Sequence, residues 1–217
     1  RERRLYDNLT DTARSKLVAL PANLSDPNLG LDEHTYNLIT SQITDLIHCA
    51  WSVNFNWQLA SFERDNIAGV KNLVDLCLKS QRPTPASFNF CSSISAVVNT
   101  VEDEIPESLP KSLSYAQEMG YAQSKLVAEN ICIKAAEHTG LRARVLRIGQ
   151  VIGDTHHGVW NTTEAIPLMI QSATTIGALP RLNETHRWLP VDVVAQSIID
   201  HSFSTFESGV LNIVNHN

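Results

Sequence analysis

The chain has 217 residues, enough for one domain with a sizeable core or two small ones, and its 43% hydrophobic and 18% charged composition excludes a disordered polymer. A net charge of −6 argues against a nucleic-acid partner, because phosphate binding needs a basic surface; a local basic pocket remains compatible with it. No apolar run approaches the ~18 residues that cross a bilayer, the opening "RERRLYDNLTD" does not resemble a secretory leader, and the four cysteines form no C-x-x-C pair. Cys49, Cys77, Cys91 and Cys132 all lie in apolar runs, so buried thiols in a reducing, cytoplasmic setting are expected, without disulfide or zinc.

In chain order, "KLVAL" (16–20) is the first predicted strand and "DLIHCAW" (45–51) the second. "NIAGVKNLVDLCLKS" then sets Ile67, Val70, Leu73, Val74 and Cys77 at helical spacing. "SFNFCSS" (87–93) is a third strand. Residues 99–120, with Pro106 and Pro110, read as a loop. "AQSKLVAENICIKAAEHTG" reads as a helix with Leu126, Ala128, Ile131 and Ala135 on one face and Gly140 as its C-cap. "RARVLRI" (142–148) is a strand, "LPVDVVAQSIIDHSF" a helix and "VLNIV" (210–214) the last strand. Residues 154–190 break the alternation and are expected to form an insertion that shapes a pocket. Near-continuous apolar strands separated by helices predict an α/β domain with a parallel sheet covered on both faces.

Ligands in such sheets sit beyond the carboxyl ends of the strands. That rule brings "HCAW", "CSSIS", "RIGQVIGD" and the start of the tyrosine helix to one rim. In "GYAQSKLVAEN", Tyr121 and Lys125 lie one helical turn apart on the same face. A phenol with a pKa near ~10 is a poor acid–base group at neutral pH unless its anion is stabilised, and a lysine supplies that positive charge. A strand-end serine can hold a carbonyl oxygen as negative charge develops on it. Ser, Tyr and Lys together suit proton delivery to a carbonyl under reduction.

The stretches "HCAWSVNFN", "NIAGVKNLVDLC", "FCSSIS", "GYAQSKLVAE", "RIGQVIGD" and "WLPVDVVAQSI" resemble, in order and spacing, the extended short-chain dehydrogenase/reductases. More narrowly, the chain resembles the terminal thioester reductase domains of fungal nonribosomal-peptide-synthetase-like enzymes and polyketide synthases, relatives of carboxylic acid reductases. The resemblance implies a Rossmann-like doubly wound parallel sheet. It implies Tyr121 as proton donor and Lys125 as its pKa-lowering, ribose-binding partner, with Ser93 matching the triad hydroxyl best and Ser92 and Ser95 as neighbouring alternatives. It places His48, Cys49, Ala50, Asn66, Ile148, Gly149 and Gln150 beside the cofactor, and Gly69 on the same helix as Asn66. The implied cofactor is NADPH. The implied partner is a carrier domain whose phosphopantetheine arm holds the acyl group as a thioester. Hydride attack would give a thiohemiacetal that collapses to an aldehyde and a free thiol on the arm; some members reduce the aldehyde again to the alcohol.

Two departures from the family pattern stand out. No G-x-x-G-x-x-G turn occurs, and "KLVAL" matches the family's third strand, so residues 1–217 are expected to be a partial NAD(P)-binding domain lacking the first two strands and leaning on upstream residues of the same polypeptide. Asn23 stands where an acidic residue usually faces the adenine. Two further functions remain open: sugar-nucleotide epimerase or dehydratase chemistry, which shares the Tyr/Lys pair, and a degenerate domain that only docks a carrier. Trp51, Phe55 and Trp57 are read as groove or core, and Trp160 to Met169 as channel wall or surface. His156 and His157 are read as a loop, and Arg1, Arg3 and Arg4 as a phosphate-binding remnant or a solvated terminus.

Overall fold

The computed structural model describes residues 9–181, 183 and 185–215; the arginines at 1, 3 and 4 lie outside the described residues. The elements run α1 (Asp11–Arg14), α2 (Glu33–Gln42), β1 (Asp45–His48), α3 (Ala68–Leu78), β2 (Ser87–Ser93), α4 (Gly120–Thr139), β3 (Ala143–Ile148), β4 (Gln150–Ile152), α5 (Ala165–Ile176), β5 (Trp188–Pro190), α6 (Val191–Ser202) and β6 (Gly209–Ile213). Four strands form one parallel sheet in the order β1-β2-β3-β6, and β4 pairs with β5 in a separate two-stranded ribbon. The predicted α/β architecture with a parallel sheet is therefore the observed one.

Alternation along the strands sorts the core into two layers. Phe88, Phe90, Ala143, Val145 and Val210 point to one face and meet Val70, Leu73, Val74 and Cys77 of α3 with Ala128 and Cys132 of α4. Leu146 and Ile213 point to the other face and meet Leu189 of β5 and Val194 of α6. Burying a side chain of this size contributes about 1.5–3 kcal/mol, which is why the sheet needs helices on both sides. Gly140 closes α4 in the left-handed conformation, φ 70°. Register places His48 opposite Phe90 and Ser93 opposite Ile148, so the carboxyl ends of the strands form a common edge.

Three expectations need correction. "KLVAL" is not a strand: among the described residues nothing pairs with it, and Leu17, Val18 and Leu20 are exposed. A parallel strand owes its stability to a hydrogen-bonded neighbour, and apolar composition cannot substitute for one. The second strand stops at His48 rather than continuing to residue 51, because beyond His48 the chain leaves the sheet and Trp51 turns onto the rings of His48 and Phe90. Cys49, just past that strand end, is exposed, whereas Cys77, Cys91 and Cys132 are buried; all four thiols are free.

Helix α2 went unread in the sequence because it buries only Tyr36 and Thr40 and so carries little periodicity. Its start is nevertheless specified: the Asp32 carboxylate accepts from the Thr35 backbone N–H at 2.9 Å and its hydroxyl at 2.7 Å. The stretch 154–190 contains α5 and ends in β5. No helix among the described residues is long and apolar enough to cross a membrane.

Candidate active site

Strand β2 ends at Ser93 and helix α4 begins at Gly120, and their meeting point assembles the serine, tyrosine and lysine. Gly120 is required by packing rather than by dihedral freedom. A Cβ there would lie 2.6 Å from Leu59 N and closer still to the Trp57 carbonyl, so the loop after β1 rests directly on the first turn of α4. The same loop sets Phe55 edge-on to the Tyr121 ring at 5.3 Å, with Phe62 at 6.5 Å on another side. Phe55 and Trp57 remain 57% and 43% exposed, so they border the site instead of filling the core.

The three candidate hydroxyls are distinguishable by their partners. Ser92 is buried and donates to Glu129 Oε1 at 2.5 Å, so its proton is committed. Ser93 Oγ caps the short turn Ile94–Ala96, accepting from Ser95 N at 3.2 Å and Ser95 Oγ at 2.9 Å. A hydroxyl has one proton and two lone pairs. With Ser95 filling both lone pairs, the Ser93 proton is left for Tyr121, with which Ser93 shares a hydrogen bond, and Ser95 is reduced to a support.

Lys125 is buried, and its ammonium donates to the Cys91 carbonyl at 2.7 Å. It lies 4.3 Å from the Trp51 ring centroid and 4.8 Å from that of Phe90, a cation–π cradle. Burial pulls its pKa down to about 8, against the opposing pull of the neighbouring Cys91, Cys49 and Glu129. Tyr121 is pushed up by burial, and its hydrogen bond with Ser93 acts in the other direction. The lysine charge is 5.9 Å from the phenol ring centroid and turned to Cys91. In this geometry desolvation outweighs it, opposite to the direction expected from the lysine alone.

The candidate cofactor residues divide into two groups. Cys49, Ala50, Ile148, Gly149 and Gln150 lie along the strand-end rim, exposed or half-buried, with Gly149 N held to the Ile213 carbonyl at 2.9 Å. His48 and Asn66 are buried. The His48 imidazole stacks on Phe90, and burial, with Lys125 adding to it, lowers its pKa to about 4. The Asn66 side chain accepts from Ser52 N at 2.8 Å and donates to Ser52 Oγ at 3.2 Å, pinning the loop after β1. Asn23 is likewise engaged locally, donating to Asp26 Oδ2 at 2.9 Å.

Behind the triad lies an ion pair that the sequence reading did not single out. Arg147 and Glu129 are fully buried, with Nη2 to Oε2 at 2.8 Å. The signal was present: an arginine inside the apolar strand "RARVLRI" and a glutamate on the buried face of α4. A charge in such a run is costly unless paired, so each implied a partner.

A cavity of about 1650 Å³ opens at the strand-end rim, lined by Ile94, which follows Ser93, by Gly149 and Gln150, and by Ile105, Met169 and Trp188; Ser93, Tyr121 and Lys125 do not themselves line it.

A family profile described as "Male sterility protein", an NAD-binding family, matches residues 1–198. Adenylate-forming reductase Nps10 of Heterobasidion annosum is 36% identical over 202 residues, 93% of this chain and 18% of that protein. A carboxylic acid reductase of Neurospora crassa is 37% identical over 194 residues, 87% of this chain and 18% of that one. The crystal structure of the terminal R domain from the myxalamid PKS-NRPS biosynthetic pathway superposes with a TM-score of 0.85 at 26% identity, covering 98% of this chain and 53% of that one. The chain thus spans about a fifth of the length of these curated relatives.

Proposed function

The chain belongs to the Male sterility protein family of NAD-binding domains, and on that premise we propose that it takes part in NADPH-dependent reduction of an acyl thioester, held on a carrier's phosphopantetheine arm, to an aldehyde. The single observation that carries this reading is the hydrogen bond of Tyr121 with Ser93, with Lys125 one turn further along α4, at the end of a strand whose next residue, Ile94, lines a cavity of about 1650 Å³. Its relatives include adenylate-forming reductases and a carboxylic acid reductase, which supports the reaction class.

The residues present fit the nicotinamide side of such a cofactor. Lys125 spends one of its three donors on Cys91, and the rim of Cys49, Ala50 and Ile148–Gln150 runs past it. The sequence holds no glycine-rich turn for a pyrophosphate, so these residues account for nicotinamide-side contacts alone. When bound, NADPH supplies the hydride that adds to the acyl carbon.

The chain's own groups handle the oxygen. Ser93, hydrogen-bonded to Tyr121 before substrate arrives, turns its proton to the acyl oxygen and stabilises charge developing there. Tyr121, kept protonated by burial, holds a proton for the same oxygen; an alkoxide is far more basic than a phenolate, so transfer is downhill. Lys125 stabilises the phenolate left behind, and the rings of Phe55 and Phe62 screen Tyr121 from water. Tyr121→Phe in the whole polypeptide tests the reading: folding should persist and NADPH oxidation with an acyl thioester should vanish. Surviving turnover would overturn the assignment, and activity on a nucleotide sugar instead would move the chain to epimerase-type chemistry.

A further inference from the structure

Ser92, Arg147 and Asn212 are register partners on three neighbouring strands, one polar row across the sheet just below its carboxyl edge. The row reaches out of the sheet to the loop that precedes α4. Arg147 Nη1 donates to the Pro106 carbonyl at 3.0 Å and Nη2 to the Ser108 carbonyl at 2.9 Å, while Nε and Nη2 grip Glu129. Asn212 Nδ2 donates to the Ile105 carbonyl at 2.8 Å, and its backbone N–H donates to Glu107 Oε1 at 2.7 Å. Four consecutive residues, 105–108, are therefore tied to β3 and β6 without belonging to the sheet. Three of them, Ile105, Pro106 and Glu107, line the large cavity.

From this we propose that Arg147 and Asn212 are positioning residues that fix segment 105–108 as a wall of the acyl site, so that sheet geometry sets the width of the cavity. The inference rests on the thioester reductase reading for what occupies the cavity, and on the hydrogen bonds alone for the wall itself. A loop of this length would otherwise sample many conformations, and ordering it before substrate arrives removes that entropic cost from binding. The row touches neither the reacting carbonyl nor the hydride path, so its loss should weaken substrate binding and spare the chemical step.

The test uses the whole polypeptide with octanoyl-N-acetylcysteamine as the thioester probe. Asn212→Ala removes one clamp bond from a half-buried position, and Arg147→Lys removes the two carbonyl bonds together with the paired grip on Glu129. Arg144→Lys is the control, since Arg144 is equally buried but ties β3 to the carbonyls of Ser202, Ser204 and Phe206 instead. Asn212→Ala should raise KM about fivefold, as for one lost hydrogen bond, with kcat within about twofold, and should speed amide exchange in 105–108. Arg147→Lys should exceed it in both, and Arg144→Lys should change neither despite a comparable loss of stability. Unchanged exchange at 105–108, or a fall in kcat at constant KM, overturns the inference. If the unmodified polypeptide does not turn the probe over, the reductase reading fails by itself. Calorimetric Kd values for the same thioester then decide the clamp: about fivefold weaker for Asn212→Ala supports it, and equal affinity sinks it.

Discussion

Ser92 gives its hydroxyl proton to Glu129 across 2.5 Å, leaving its neighbour Ser93 as the strand-end serine that hydrogen-bonds Tyr121. Two adjacent serines thus have different partners, Ser92 a glutamate inside the fold and Ser93 the phenol of Tyr121. Ser93→Ala should lower kcat by about a hundredfold while leaving thermal unfolding nearly unchanged, as for removal of one oxyanion donor. Ser92→Ala should cost about 1–3 kcal/mol of stability, because Glu129 keeps its burial and loses a partner. Paired kinetics and urea titrations on the two variants check the division; equal kinetic losses would refute it.

Gly120 poses a contest of signs. Within a helix, Gly→Ala ordinarily gains about 1 kcal/mol. Here the added methyl would press on the backbone of Trp57, Gln58 and Leu59, which cannot rotate away as a side chain could. Overpacking of about 1–3 kcal/mol should win. Gly120→Ala is expected to be net destabilising in urea and to depress turnover, since Tyr121 is the next residue and Phe55 rides on the displaced loop.

His48 predicts an acid sensitivity. Its folded pKa of about 4 lies below the ordinary value of 6.5, so between these limits the unfolded chain binds more protons. Stability is therefore fully present above pH 6.5 and is lost as pH falls through 6 toward 4, by at most about 3 kcal/mol. The carboxylate of Asp154, held near pKa 2 by the backbone N–H of His157, Val159 and His156, titrates lower still and does not contaminate that window. Urea midpoints at pH 7 and 4.5 should differ less in His48→Phe than in the unmodified protein.

Lys125 predicts the opposite flank. Its pKa of about 8, against 10.5 in the unfolded chain, means the unfolded state holds the extra proton between those values. Stability should rise with pH across 8 to 10.5, and Lys125→Met should abolish that rise. The same titration should cut turnover above pH 8, because neutral Lys125 no longer stabilises a tyrosinate. A flat rate profile from pH 7 to 9.5 would remove Lys125 from the mechanism.

Much of this was legible in local patterns. Strands "SFNFCSS" and "RARVLRI" match β2 and β3 almost residue for residue, because Phe88, Phe90, Val145 and Leu146 mark short segments with apolar side chains buried in the core. The reach of Tyr121 and Lys125 to the end of β2 follows from helix pitch and the rule that parallel strands end at one rim. "KLVAL" defeated the same reasoning: it has strand composition but no neighbour, and pairing is a property of two segments rather than one. Glu129 and Arg147 were visible as misplaced charges, yet nothing local said that they meet.

By itself the sequence determined the alternation of strand and helix, the sheet class and the Tyr121–Lys125 pair, since these depend on periodicities and spacings within one segment. Only the tertiary structure decided which serine meets Tyr121, that Asn66 and His48 are buried, and that residues 105–108 are stitched to two strands. Each of those depends on contacts between residues well apart in the chain, and no local pattern records where the fold has put the partner.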